Sequence, residues 1–66
     1  MISYEPLWRT MKLRGATTYT LQVKGGIRSS TIRRMKAGDS VSTHTLDLLC
    51  QLLDCSLSDI VEYRDQ

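Results

Sequence analysis

The chain is 66 residues long and 41% apolar, with a formal net charge of +2. A domain this short buries only about 60% of its unfolded surface and has little room for a deep catalytic cleft. The small net charge hides a sorting by position. Residues 6–38 carry Arg9, Lys12, Arg14, Lys24, Arg28, Arg33, Arg34 and Lys36 with no acid, whereas residues 39–66 carry six acids against Arg64 alone. A segment of +8 beside one of −5 points to a polyanionic partner for the first.

The elements predicted along the chain are helical. Five pairs of apolar residues stand five positions apart, as they do where a residue before a helix clasps one in its first turn: Ile2 with Leu7, Ala16 with Leu21, Ile27 with Ile32, Val41 with Leu46, and Cys55 with Ile60. The implied caps are Ser3, Thr17, Arg28, Ser42 and Ser56. Four of them are hydroxyl residues that can accept a free backbone N–H. Gly15, Gly25-Gly26 and Gly38 supply stops, as does Asp54-Cys55, and Pro6 falls in a first turn where its missing N–H does little harm. These signals predict helices near 4–14, 18–24, 29–37, 43–53 and 57–63, an all-α five-helix bundle in one domain over residues 1–66. No stretch alternates as a strand would. The expected core is Leu7, Trp8, Met11, Leu21, Ile27, Ile32, Met35, Leu46, Leu49, Cys50, Leu53, Leu57, Ile60 and Val61.

Several function classes are excluded at this level. There is no paired nucleophile and base, no carboxylate pair and no metal cluster, so an enzyme is not expected. Cys50 and Cys55 have only His44 as a possible third ligand, too few for structural zinc, and are read as small core residues. No apolar run approaches the roughly 20 residues of a membrane span, and no signal peptide is visible. The chain is expected in the cytoplasm, with no cofactor, no membrane association and no small-molecule ligand.

The segment from Thr18 to Ala37 reads as a short helix, a Gly25-Gly26-Ile27 turn and a second short helix. Leu21, Gly26-Ile27, Ser30-Thr31-Ile32, Met35 and Gly38, followed by Leu46-Asp47-Leu48-Leu49-Cys50 and Asp59-Ile60, resemble the Cro/phage-repressor (XRE-type) helix-turn-helix family from about Leu7 to Tyr63. The resemblance implies a lambda-repressor-like five-helix fold, double-stranded DNA as partner and a role in transcription regulation. Three positions depart from the family pattern. Gln22 replaces a small residue between the helices, and Gly25 a larger one; both are expected to loosen the second helix. Arg28 replaces the Ser or Thr cap and is read as a cap exchanged for a phosphate contact.

A recognition helix turns its N-terminal residues toward base edges. With Ile32 and Met35 facing the core, Ser29, Ser30, Arg33 and Arg34 are left on or near the outer face. The family pattern puts base contacts at Ser29, Ser30 and Arg34, and helical phase adds Arg33. Thr18, Arg28 and Lys36 are expected at phosphates. His44 and Tyr19 are read first as ordinary exposed residues. A homodimer is expected, through a ridge of Leu48 and Leu52 extended by Val61 or Tyr63 on the fifth helix. The rival reading is an antitoxin-like or other protein-interaction module whose basic face meets an acidic protein.

Overall fold

The computed structural model describes residues 1–65. A two-residue strand, β1 (Ile2–Ser3), leads into helix α1 (Glu5–Arg14). Helices α2 (Thr18–Val23), α3 (Ser29–Lys36) and α4 (Thr43–Leu53) follow. A single 3-10 turn (Leu57–Asp59) and a second short strand, β2 (Glu62–Tyr63), complete the order. The strands pair antiparallel, Ile2 with Tyr63 and Ser3 with Glu62, so the first and last described elements meet.

The fold is therefore mostly helical, with four α-helices among the described residues rather than five. The predicted helix over 57–63 is replaced by the 3-10 turn and β2. Its carbonyls explain why. In an α-helix the oxygens of Asp59 and Ile60 would accept from residues four ahead. Here Asp59 O accepts the Thr10 hydroxyl at 2.8 Å, and Ile60 O accepts the Leu7 N–H at 3.1 Å. The Arg64 N–H goes to Met1 O at 2.8 Å instead. The Ile60 and Val61 N–H groups close the 3-10 turn on Leu57 O, and beyond it the last segment is tied to α1 and β1.

The helix starts follow local chemistry in the middle of the chain. Thr17 and Thr20 form a reciprocal capping box on α2, and Ser42 Oγ accepts the Thr45 N–H at 3.2 Å on α4. At α1 the expected cap shifts by one residue. Tyr4 occupies the cap position without a side-chain bond, while Ser3 Oγ accepts the Glu5 N–H at 3.2 Å. At the 3-10 turn the Asp59 carboxylate accepts both the Ser56 N–H and the Ser56 hydroxyl at 3.1 Å. Helix α4 ends where Asp54 adopts φ of 51°, and the Cys55 N–H then bonds Cys50 O at 3.1 Å.

The core is Tyr4, Leu7, Met11, Leu21, Ile27, Ile32, Met35, Leu49, Leu53 and Ile60. Trp8, Leu46, Cys50 and Val61 pack at its edge, half-buried. Two expectations fail. Leu57 is 53% exposed, because it opens the 3-10 turn and not a helix facing the core, and Tyr4 is buried although it was not expected inside.

Candidate nucleic-acid interface

The unit formed by α2 and α3 is built around one tight turn. The Lys24 N–H closes α2 on Thr20 O at 2.9 Å. Gly26 takes φ of +65°, a conformation that suits glycine, and the Ile27 N–H then reaches back to Leu21 O at 3.1 Å. Gly25 serves a different need. A Cβ there would stand 2.7 Å from Leu21 O and 2.9 Å from Leu52 Cδ2. Its missing side chain lets α4 approach the turn closely, so Gly25 tightens this unit where a loosening was expected. Gln22 is exposed and does not lie between the helices.

Helix α3 buries Ile32 and Met35 and leaves Ser29, Ser30, Arg33, Arg34 and Lys36 exposed. At about 100° per residue, Ser30, Arg33 and Arg34 lie opposite the buried pair, with Ser29 and Lys36 toward one flank. Arg28 is the cap residue, in extended backbone, and no side chain accepts a hydrogen bond there. Ser29 is already the first helical residue and is not the cap. Helix α3 thus begins without a side-chain acceptor, next to the cationic Arg28, an arrangement suited to an anion. Thr18 is half-buried in the first turn of α2, and Tyr19 beside it is 71% exposed.

Arg34 is the most constrained of the predicted readers. Its Nε and Nη2 both donate to Ser40 O, at 3.2 and 3.0 Å. With Thr31, Ser40, Val41, Ser42 and Thr45 it lines an open, polar concavity between α3 and the start of α4. A second concavity joins Gly26, Ile27, Arg28 and Thr31 to His44, Thr45 and Leu48. His44 therefore sits nearer the basic turn than its sequence position suggested. In the sequence Thr31 stands out only as part of the family motif, and Ser40 and Tyr4 do not stand out at all. The Tyr4 hydroxyl donates to Asp39 O at 2.7 Å, and no local pattern announces a contact across 35 residues.

Not all of the basic segment belongs to this surface. Arg14 Nη2 donates to Asp54 O at 3.0 Å, placing a cation at the C-terminus of α4 where the helix dipole favours it. Lys24, Arg28, Arg33, Arg34 and Lys36 remain on or beside α2 and α3.

The four residues expected at a dimer surface fall in different surroundings. Leu48 borders the α2–α3 turn, and Leu52 packs beside Gly25. Val61 is half-buried against the core, whereas Tyr63 is 72% exposed on β2 opposite Ile2. Val61 and Tyr63 do not lie on a fifth helix.

Cys50 and Cys55 are free thiols. Burial, and then the neighbouring Cys50, push the Cys55 thiol above its ordinary value. Among the described residues no group of His, Cys, Asp or Glu side chains is placed to hold a metal ion, and no helix is long and apolar enough to cross a membrane.

No curated protein sequence matches this chain. Among solved structures, the crystal structure of the transcriptional regulator VanUg superimposes with a TM-score of 0.90 at 28% identity, over 98% of this chain and 87% of that one. A model of the Cro/C1-type helix-turn-helix DNA-binding domain matches residues 6–66, so the chain belongs to that family, and α2, the Gly25-Gly26 turn and α3 are its helix-turn-helix.

Proposed function

We propose that this protein is a sequence-specific transcription regulator that binds double-stranded DNA and represses by occupying its operator. The observation that carries the reading is α3 itself, with Ile32 and Met35 buried and a hydroxyl- and arginine-bearing face exposed, inside a segment free of acids. Ser29, Ser30, Arg33 and Arg34 are assigned to the base edges in the major groove. Arginine suits the acceptor edge of guanine, and serine suits either kind of edge. Thr18, Arg28 and Lys36 are assigned to phosphates, which fix register without reading sequence. The likeness to the regulator VanUg supports the regulatory half of the reading. Repression is favoured over activation because occupying an operator and excluding other proteins needs nothing beyond the DNA-binding domain. No cofactor enters this reading.

The working unit is a homodimer, since one module of this size reads few base pairs and two-fold symmetry doubles the site. Leu48, Leu52, Val61 and Tyr63 remain the residues assigned to that contact, with Tyr63 the most exposed of them. Selection of bound sequences from random duplex DNA tests both halves. A palindrome with half-sites about ten base pairs apart is the expected outcome. Failure to enrich any sequence would overturn the assignment and favour an acidic protein partner. Sedimentation of wild type and Tyr63→Glu tests the dimer, which falls if the wild type stays monomeric at millimolar concentration and binds its site without cooperativity.

A further inference from the structure

Arg34 lies on α3, yet what orients it lies elsewhere. Its Nε and one Nη2 hydrogen converge on the carbonyl oxygen of Ser40, in the loop between α3 and α4. A guanidinium has five N–H donors in a fixed fork. The side-on edge is occupied here, and the end-on edge, made of Nη1 and the other Nη2 hydrogen, is not used by this contact. A bidentate contact to the O6 and N7 of guanine needs one such edge, held in plane.

The loop that supplies the carbonyl is itself held by a residue distant in sequence. Tyr4, 6% exposed at the start of α1, donates its hydroxyl to Asp39 O at 2.7 Å. The Asp39 N–H donates to Arg34 O at 2.8 Å. The charge of Arg34 is felt at the Tyr4 phenol.

We propose that Tyr4 is a positioning residue for sequence recognition: its hydroxyl fixes the loop at Asp39, and the Ser40 carbonyl thereby holds Arg34 with its end-on edge toward a guanine. The proposal rests on the regulator reading above. Tyr4 lies 35 residues from Asp39 in the sequence and is assigned no base contact. Its effect reaches DNA through a side chain that would otherwise be ordered only on binding, at a cost of about two- to tenfold in affinity.

The test compares wild type, Tyr4→Phe, Arg34→Ala and the double variant on the selected operator and on duplexes changed one base pair at a time. Tyr4→Phe is expected to lose about two- to tenfold in discrimination at one G·C pair, the same pair at which Arg34→Ala loses more. The double variant should match Arg34→Ala, and the salt dependence of Tyr4→Phe should equal that of wild type. In the DNA-free protein the Arg34 Nε–H resonance should exchange slowly in wild type and quickly in Tyr4→Phe. Unchanged discrimination in Tyr4→Phe, a loss spread over every position, or additive effects in the double variant would each overturn the proposal. A wild type without base preference overturns the regulator reading as well, which separates the two failures. If Tyr4→Phe does not fold, the wild-type resonance decides: fast exchange there refutes an Arg34 held by Ser40.

Discussion

The backbone N–H of Leu7 donates to the carbonyl of Ile60 at 3.1 Å, joining the first turn of α1 to the end of the 3-10 turn. Leu7 and Ile60 are both completely buried. This bond satisfies an amide that the α1 cap residue Tyr4 leaves without a side-chain acceptor. One turn further along α1, Thr10 repeats the connection through its hydroxyl to Asp59 O at 2.8 Å.

Thr10→Val removes the second connection with little change in shape. The Asp59 carbonyl loses that donor in a site where Thr10 is 9% exposed. The expected loss is about 1–2 kcal/mol of stability. Urea unfolding should show a lower midpoint at an unchanged slope. An unshifted midpoint would mean that water replaces the hydroxyl freely.

Gly25→Ala acts by overpacking. The new methyl would meet Leu21 O at 2.7 Å and Leu52 Cδ2 at 2.9 Å; the leucine can rotate away, but the carbonyl belongs to α2. A destabilisation of about 1–3 kcal/mol is expected, with operator affinity reduced because the turn sets the angle of α3. Equal stability of the two proteins in denaturant would show that the turn has slack.

Arg28→Ser separates stability from binding. The cap position of α3 has φ of −68° and ψ of 148°, and no side chain accepts a hydrogen bond there. Serine in that backbone conformation should stabilise the domain by about 0.5–1 kcal/mol. Binding to DNA should weaken on every sequence alike, because a phosphate contact is lost. A variant that gains no stability would indicate that the α3 amides are already satisfied.

Salt dependence measures the interface directly. If about four to six phosphates are neutralised per subunit, the logarithm of affinity should fall with that of salt at a slope of about −4 to −5 per subunit. Titration from low to physiological salt gives the value. A flat response would point away from DNA.

Alkaline stability follows from two weak acids, the buried Tyr4 and the half-buried Cys55. Burial lifts the Tyr4 phenol above its ordinary value of 10.0, opposed by the charge of Arg34, and burial with the Cys50 neighbour lifts Cys55 above 9.0. The unfolded chain therefore ionises first at both sites. Their stabilising contribution is whole below about pH 9 and declines as pH rises through 9 and 10. Denaturant unfolding at pH 8 and pH 10.5 should show the decline. Cys55→Ala should lessen its earlier part and Tyr4→Phe its later part; a decline identical in both variants would assign it to other groups.

The separation of local from distant causes runs through the whole molecule. Thr17, Ser42 and Asp54 mark helix ends by contacts within five residues, and the spacing of Leu21, Ile32, Met35 and Leu49 records which helix faces turn inward. Hydrogen-bond geometry and helical periodicity act over that range, so the sequence by itself determined α1 to α4, most of the core and the exposed basic face of α3. Residues 57–63 carry the same signals, including the Ser56–Asp59 pair, and still do not form a helix. Their carbonyls have better-placed donors in Thr10 and Leu7, about fifty positions away, and β2 has its partner in β1. Tyr4 was hidden for the same reason, since its hydroxyl finds its acceptor 35 residues on. Only tertiary structure decided these points, because a backbone group takes whichever partner the assembled fold brings within about 3 Å, and helical spacing carries no record of that choice.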